Sequence, residues 1–148
     1  MYAKIAEKTG LPAFVSQIVA NRTLNDEAVI AAMQAADKQM FDHGIVAVGD
    51  ISNQSISAAT KRNSSIYYHT FVEVFGFNKP AKPIIDNALA VCADFWPQKA
   101  SIVPHAPYSV NEELFRLIKD NAKHNDILSI HNQETAAENE FFERGTGS

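Results

Sequence analysis

His131 and Glu134 stand three residues apart, directly after the apolar run Ile127 to Ile130. An imidazole and a carboxylate at that spacing can hold a metal ion and move a proton beside it. Another histidine, His105, closes the run "ASIVPH", and Asp50 and Glu73 close "IVAVGD" and "YHTFVE". Side chains alternate across an extended chain, so residues two apart share a face. Ile127, Ser129 and His131 therefore lie together, as do Ser101, Val103 and His105, Phe71 with Glu73, and Val46, Val48 and Asp50. Each run delivers one ionisable side chain to its C-terminal end, and the expectation is that all four gather on one consistent face.

Each of these residues also has a plain structural reading. Asp50 suits a helix cap or loop anchor, Glu73 an ion pair with a neighbouring cation, and His105 a hydrogen-bonded core position. His131 with Glu134 favours chemistry, because the histidine ends a strand and the carboxylate begins the next loop. His43, His69 and His124 read as structural or solvated, two of them near helix ends and His69 in mid-strand.

The elements that must position these groups alternate in period. Leu11 to Arg22 and Asp26 to Asp42 read as helices, the second with Val29, Met33, Ala36 and Met40 at helical spacing and His43-Gly44 as its stop. "GIVAVGDIS" is a strand, Asn53 to Arg62 a helix and "SIYYHTFVEVFG" a strand. Lys82 to Phe95 is a helix, "ASIVPH" a strand, and Ser109 to His124 a helix with a capping box between Ser109 and Glu112. "DILSIH" is the fourth strand, followed by a helix over Thr135 to Arg144 that Gly145 closes. Strands alternating with helices of this length make βαβ units and a parallel sheet. Both a (β/α) barrel and an open doubly wound sheet bind ligands at the C-terminal ends of their strands, so periodicity leaves that choice open.

Composition narrows the class. The 148 residues suit one domain, and 46% hydrophobic with 20% charged residues is ordinary for a globular protein. The net charge of −4 comes with no basic run, so no nucleic-acid footprint is expected. "LPAFVSQIVA" is too short for a membrane span, and a cytoplasmic location is the default expectation. The single cysteine, Cys92, reads as a small core residue.

"PHAPYSVNEELFRLI" followed by "LSIHNQETAAENEFFERGTG" resembles the amidohydrolase superfamily, in its cytosine deaminase and chlorohydrolase-like branch. "FVEVFGF" and the helical entrance "TGLPAFVSQIVANR" agree with that, so the resemblance runs along essentially the whole chain. It implies an α/β fold, a partial TIM (β/α) barrel of about four parallel strands, units two to five, preceded by two helices. On this basis residues 1–43 are the entrance and 44–148 the βα repeats of a single barrel fragment. His131 matches a metal ligand, Glu134 the carboxylate that shuttles a proton, and His105 a histidine that contacts substrate; Ser109 and Glu112 match the following helix start.

The family's His-x-His pair occurs nowhere in the chain, and its sixth-strand histidine and eighth-strand aspartate find no counterpart. The resemblance thus implies a central slice of a metal-dependent hydrolase. The complete enzyme would act on C–N or C–Cl bonds of a heterocyclic small molecule, using water activated by zinc, iron or manganese. For the slice alone, the expectations are weak or no metal binding, negligible turnover, and self-association through exposed barrel edges. The alternative is a non-catalytic α/β module for small-ligand binding or assembly.

Overall fold

A computed structural model describes residues 25–124 and 126–146. The expected helix over Leu11 to Arg22 lies outside them. Helix α1 (Asp26–Asp42) begins where Asn25 accepts a hydrogen bond from the Ala28 N–H at 2.9 Å and ends at His43, before Gly44 at φ 85°. Strand β1 (Ala47–Ile51) leads through a 3-10 turn (Ser55–Ser57) into the short helix α2 (Ala58–Asn63). Strand β2 (Tyr67–Val74), helix α3 (Ala81–Asp94), strand β3 (Lys99–Pro104), a second 3-10 turn (Pro107–Ser109), helix α4 (Glu112–Asn121) and helix α5 (Ala136–Arg144) follow.

The strands form one parallel sheet in the order β1-β2-β3. That is the expected α/β alternation, with three strands among the described residues where four were read. The segment from Asp126 to His131 forms no ladder. Its β-like sequence pattern does not supply a partner: the segment meets the sheet through one backbone bond, from the His131 N–H to the His105 C=O at 2.9 Å.

Register decides which residues share a face. Val72 pairs with Ile102, and Val74 with Pro104. Val72, Val74 and Ile102 make the buried core together with Ile85, Ala88, Leu114 and Ile118 of α3 and α4. Removing this apolar surface from water is the main stabilisation of the layer. Cys92 packs against the core, and burial pushes its thiol up to about 11. The opposite face carries Gly49, His69, Phe71, Glu73, Ser101 and Val103. Gly49 lets the Phe71 ring lie close, since a Cβ there would stand 2.9 Å from it and the ring would have to shift.

The capping box expected at Ser109 is not the one that starts α4. Asn111 caps the helix instead, accepting from the Leu114 N–H at 2.9 Å, while its amide group donates to the Gly76 carbonyl at 2.8 Å. One side chain thereby fixes the start of α4 to the loop after β2.

Asp50 is also displaced from its expected place. It pairs in register with Thr70, so it lies on the helix-covered face and not with Glu73. Alternation within β1 is as read; the one-residue offset between neighbouring strands is what moves Asp50 to the other side. There it meets Lys61, whose ammonium is 2.6 Å from the Asp50 carboxylate and donates to Thr70 Oγ1 at 3.0 Å and Ser52 Oγ at 3.2 Å. The Lys61 side chain is 4% exposed and lies over the Phe95 ring at 4.7 Å. Desolvation lowers its pKa below 10.5, and the hydrogen bond and charge of Asp50 offset part of that.

Removing one member of a buried pair strands the other. We predict that Asp50→Ala destabilises the fold by about 2 kcal/mol, less than a fully buried pair because Asp50 is part-exposed, and that adding Lys61→Met recovers most of the loss. Because the lowered folded-state pKa makes unfolding take up a proton, the contribution of Lys61 should grow as pH rises toward 10.5. Urea denaturation across pH measures both, and an unchanged midpoint in Asp50→Ala would contradict them.

Candidate functional site

At the C-terminal edge of the sheet, Glu73, His105 and His131 each bring one ligand atom within 4.8 Å of the others. Glu73 comes from the last turn of β2, and its own N–H donates to Asn53 Oδ1 at 3.0 Å. His105 follows Pro104 and extends the ladder one step further, its N–H donating to the Val74 carbonyl at 3.0 Å. The His105 carbonyl then accepts from His131, so consecutive backbone hydrogen bonds run from His131 through His105 to Val74, the residue after Glu73. The two imidazole rings lie 5.3 Å apart, centroid to centroid, with Phe75 and Tyr108 at 6.1 and 6.2 Å from the His105 ring.

Hydrogen bonding sets the state of His105. Ser109 Oγ donates its one proton to the Ala106 carbonyl at 3.0 Å, so toward His105 Nδ1, 2.9 Å away, it acts as acceptor. Where Ser109 accepts in this way, Nδ1 is the donating nitrogen, which leaves Nε2 as the acceptor nitrogen of a neutral ring. A histidine held this way by its outer nitrogen is set up to ligate or to accept through the inner one. Sequence reasoning placed Ser109 at a helix start; the S-V-N-E spacing contains no signal for this orienting contact.

His131 lies between two carboxylates. Its Nδ1 is 3.2 Å from Glu134 Oε1, and its Nε2 is 3.2 Å from Glu73 Oε1. A neutral imidazole has one N–H and can satisfy only one of them. With Nδ1 directed at Glu134, Nε2 faces the Glu73 carboxylate, and either a second ring proton or a cation between them satisfies that opposition. For zinc, bond lengths near 2.1 Å place tetrahedral ligand atoms about 3.4 Å apart, close to this spacing. The residues present thus fit a divalent metal with two imidazoles and one carboxylate. The Glu73 side chain is 10% exposed, whereas His131 and Glu134 are 39% and 51% exposed, so the edge opens to solvent on the Glu134 side.

The loop carrying Glu134 is held from the helix that follows it. Glu138 Oε1 accepts from the Gln133 N–H at 3.1 Å and Oε2 from the Glu134 N–H at 2.8 Å, while Thr135 caps α5 by accepting from the Glu138 N–H. Gln133 adopts φ 57°, the left-handed conformation that turns the chain between His131 and α5. A cleft of about 410 Å³ lined by Tyr108, Glu134, Thr135, Glu138 and Phe141 adjoins the histidines.

Of the sequence-derived candidates, the structure brings together His105, His131, Glu134 and Glu73, and sets Asp50 apart on the other face. The contacts of Ser109 and Glu138 were not foreseen. A Thr-x-x-Glu signature at Thr135 and Glu138 could have located the second of these.

Among solved structures the chain is similar to Helicobacter pylori aminofutalosine deaminase in complex with methylthio-coformycin, at a TM-score of 0.70 and 27% sequence identity. The match covers 80% of this chain and 30% of that one, so the chain spans about a third of the length of this neighbour. No protein-family model matches the chain, and no curated protein matches it. The chain has a deaminase-like α/β fold, consistent with part of a barrel.

Because the Glu138 carboxylate accepts from both loop amides, Glu138→Ala should loosen the segment 132–135. Limited proteolysis should cut there several-fold faster, with Glu138→Gln intermediate. Equal cutting rates in all three proteins would show that the carboxylate does not hold the loop.

Proposed function

We propose that this chain is part of the barrel of a metal-dependent hydrolase of the deaminase type, acting on a C–N or C–Cl bond of a heterocyclic small molecule. In this reading His131 is a metal ligand, and Glu73 and His105 stand close enough to complete a three-ligand set. The observation that carries it is the opposition of His131 Nε2 and Glu73 Oε1 at 3.2 Å, with the other imidazole nitrogen directed at Glu134. A divalent ion here, whether zinc, iron or manganese, would polarise and activate water for attack on an sp² carbon.

The remaining work falls to the chain's own side chains. Glu134, half-exposed at the mouth of the cleft, takes up the proton of the attacking water and returns it to the leaving nitrogen. In this reading His105 contacts the reacting end of the substrate when it is not needed as a ligand. Tyr108 and Phe141 offer aromatic surface to a planar ring in the same cleft. The heterocyclic inhibitor in the structurally similar deaminase supports a ligand of this class.

Zinc titration of the purified chain by calorimetry should give at most weak binding, and any saturable component should be weakened about tenfold or more by His131→Ala and by Glu73→Gln. Binding unaffected by His131→Ala would rule out this centre. Turnover by the chain alone should be negligible: with His131 and Glu134 this open to solvent, water screens the charges that catalysis needs. Measurable ammonia release from a panel of amino-substituted heterocycles would contradict that part.

Among the described residues no strand pairs with the outer edge of β1, and Ile45, Val46 and Ile51 along it are exposed. An unpaired apolar edge is a template for another chain. We therefore expect self-association through β1, read as a concentration-dependent sedimentation coefficient at micromolar protein. A clean monomer across that range would refute it.

A further inference from the structure

The segment from Asp126 to His131 has no ladder among the described residues, yet it presents His131 beside Glu73 and His105. It is tethered near both ends. At one end the His131 N–H donates to the His105 carbonyl at 2.9 Å; at the other the Ile127 carbonyl accepts from Ser101 Oγ at 2.6 Å. Four extended residues span about 13 Å, so these bonds bracket the whole approach to the site.

The tether at Ile127 continues into the sheet. A carbonyl can only accept, so the single hydroxyl proton of Ser101 is committed to Ile127. Toward His69 Nε2, 2.8 Å away, Ser101 Oγ must then be the acceptor. That places a proton on His69 Nε2 and runs the relay from His69 N–H to Ser101 O–H to the Ile127 carbonyl, which the His69 ring also approaches directly. Both side chains are buried, at 5% and 2% exposure, and Phe71 packs its ring 5.0 Å from that of His69. All three residues belong to the face of the sheet that carries Glu73.

We propose that His69 and Ser101 form a buried latch whose function is to position His131, by fixing the Ile127 carbonyl against the sheet. The two act as positioning residues and touch neither metal nor substrate. A relay confined to the sheet would serve folding alone; this one ends on a segment that brings His131 to the site without strand pairing among the described residues. The functional sense of the latch rests on the reading of His131 as a site residue, but its existence does not.

Amide hydrogen exchange and nitrogen-15 spectroscopy test it on the intact chain. In Ser101→Ala the His131 amide should exchange at least tenfold faster while the Val72 and Val74 amides keep their rates. Ser101→Thr, which retains the hydroxyl, should restore protection. In the unmodified chain, neutral His69 should be the Nε2–H tautomer, a measurement that decides the matter even if Ser101→Ala fails to fold. Unchanged exchange at His131 in a folded Ser101→Ala, or a neutral His69 protonated on Nδ1 alone, overturns the latch. If the exchange and tautomer results hold while zinc binding is unaffected by His131→Ala, the latch stands and the metal reading falls.

Discussion

The hydrogen bond from the His131 N–H to the His105 carbonyl transfers the order of the sheet to a segment that has no strand pairing of its own. Upstream of it lies a regular parallel ladder, in which Glu73 and the residues leading to His105 are fixed by register. Downstream lies a turn with a left-handed Gln133 and a short helix that starts only at Ala136. The site exists where these two regimes meet. Glu73 and His105 inherit their positions from the core beneath them, and His131 is added by a single bond and whatever steadies the chain behind it.

Much of this was legible in the residues. The alternation of polar and apolar side chains showed which positions of each strand shared a face, and the C-terminal placement of Glu73, His105 and His131 followed. The relation between neighbouring strands was not legible, because register is a property of two segments and of the helices packed on them. Asp50 shows the cost: its own strand was read correctly, yet its pairing with Thr70 turned it toward Lys61. Lys61 was not singled out in the helix read over Asn53 to Arg62. Nothing in the string "ATKRN" says that its ammonium would be buried against three oxygen partners.

The last apolar run failed as a strand for a related reason. "DILSIH" has the composition of a buried strand, but a strand is made by its neighbours, and among the described residues this segment is paired by one backbone bond. Helix starts were misread where two capping residues stood close together. Ser109 and Asn111 both suit a cap, and the competition is settled by tertiary contacts: Ser109 is engaged by His105 and Ala106, leaving Asn111 to cap α4. In each case the local signal was present and a long-range partner chose between the options.

The fit between Gly49 and Phe71 carries an evolutionary consequence. The Phe71 ring occupies the space where a Cβ on β1 would stand, and it also rests against His69. The two positions are therefore coupled: a methyl on β1 needs either a shift of the Phe71 ring or a slimmer side chain on β2. Such paired exchanges, small for none and small for large, would leave the imidazole beside them without its aromatic support.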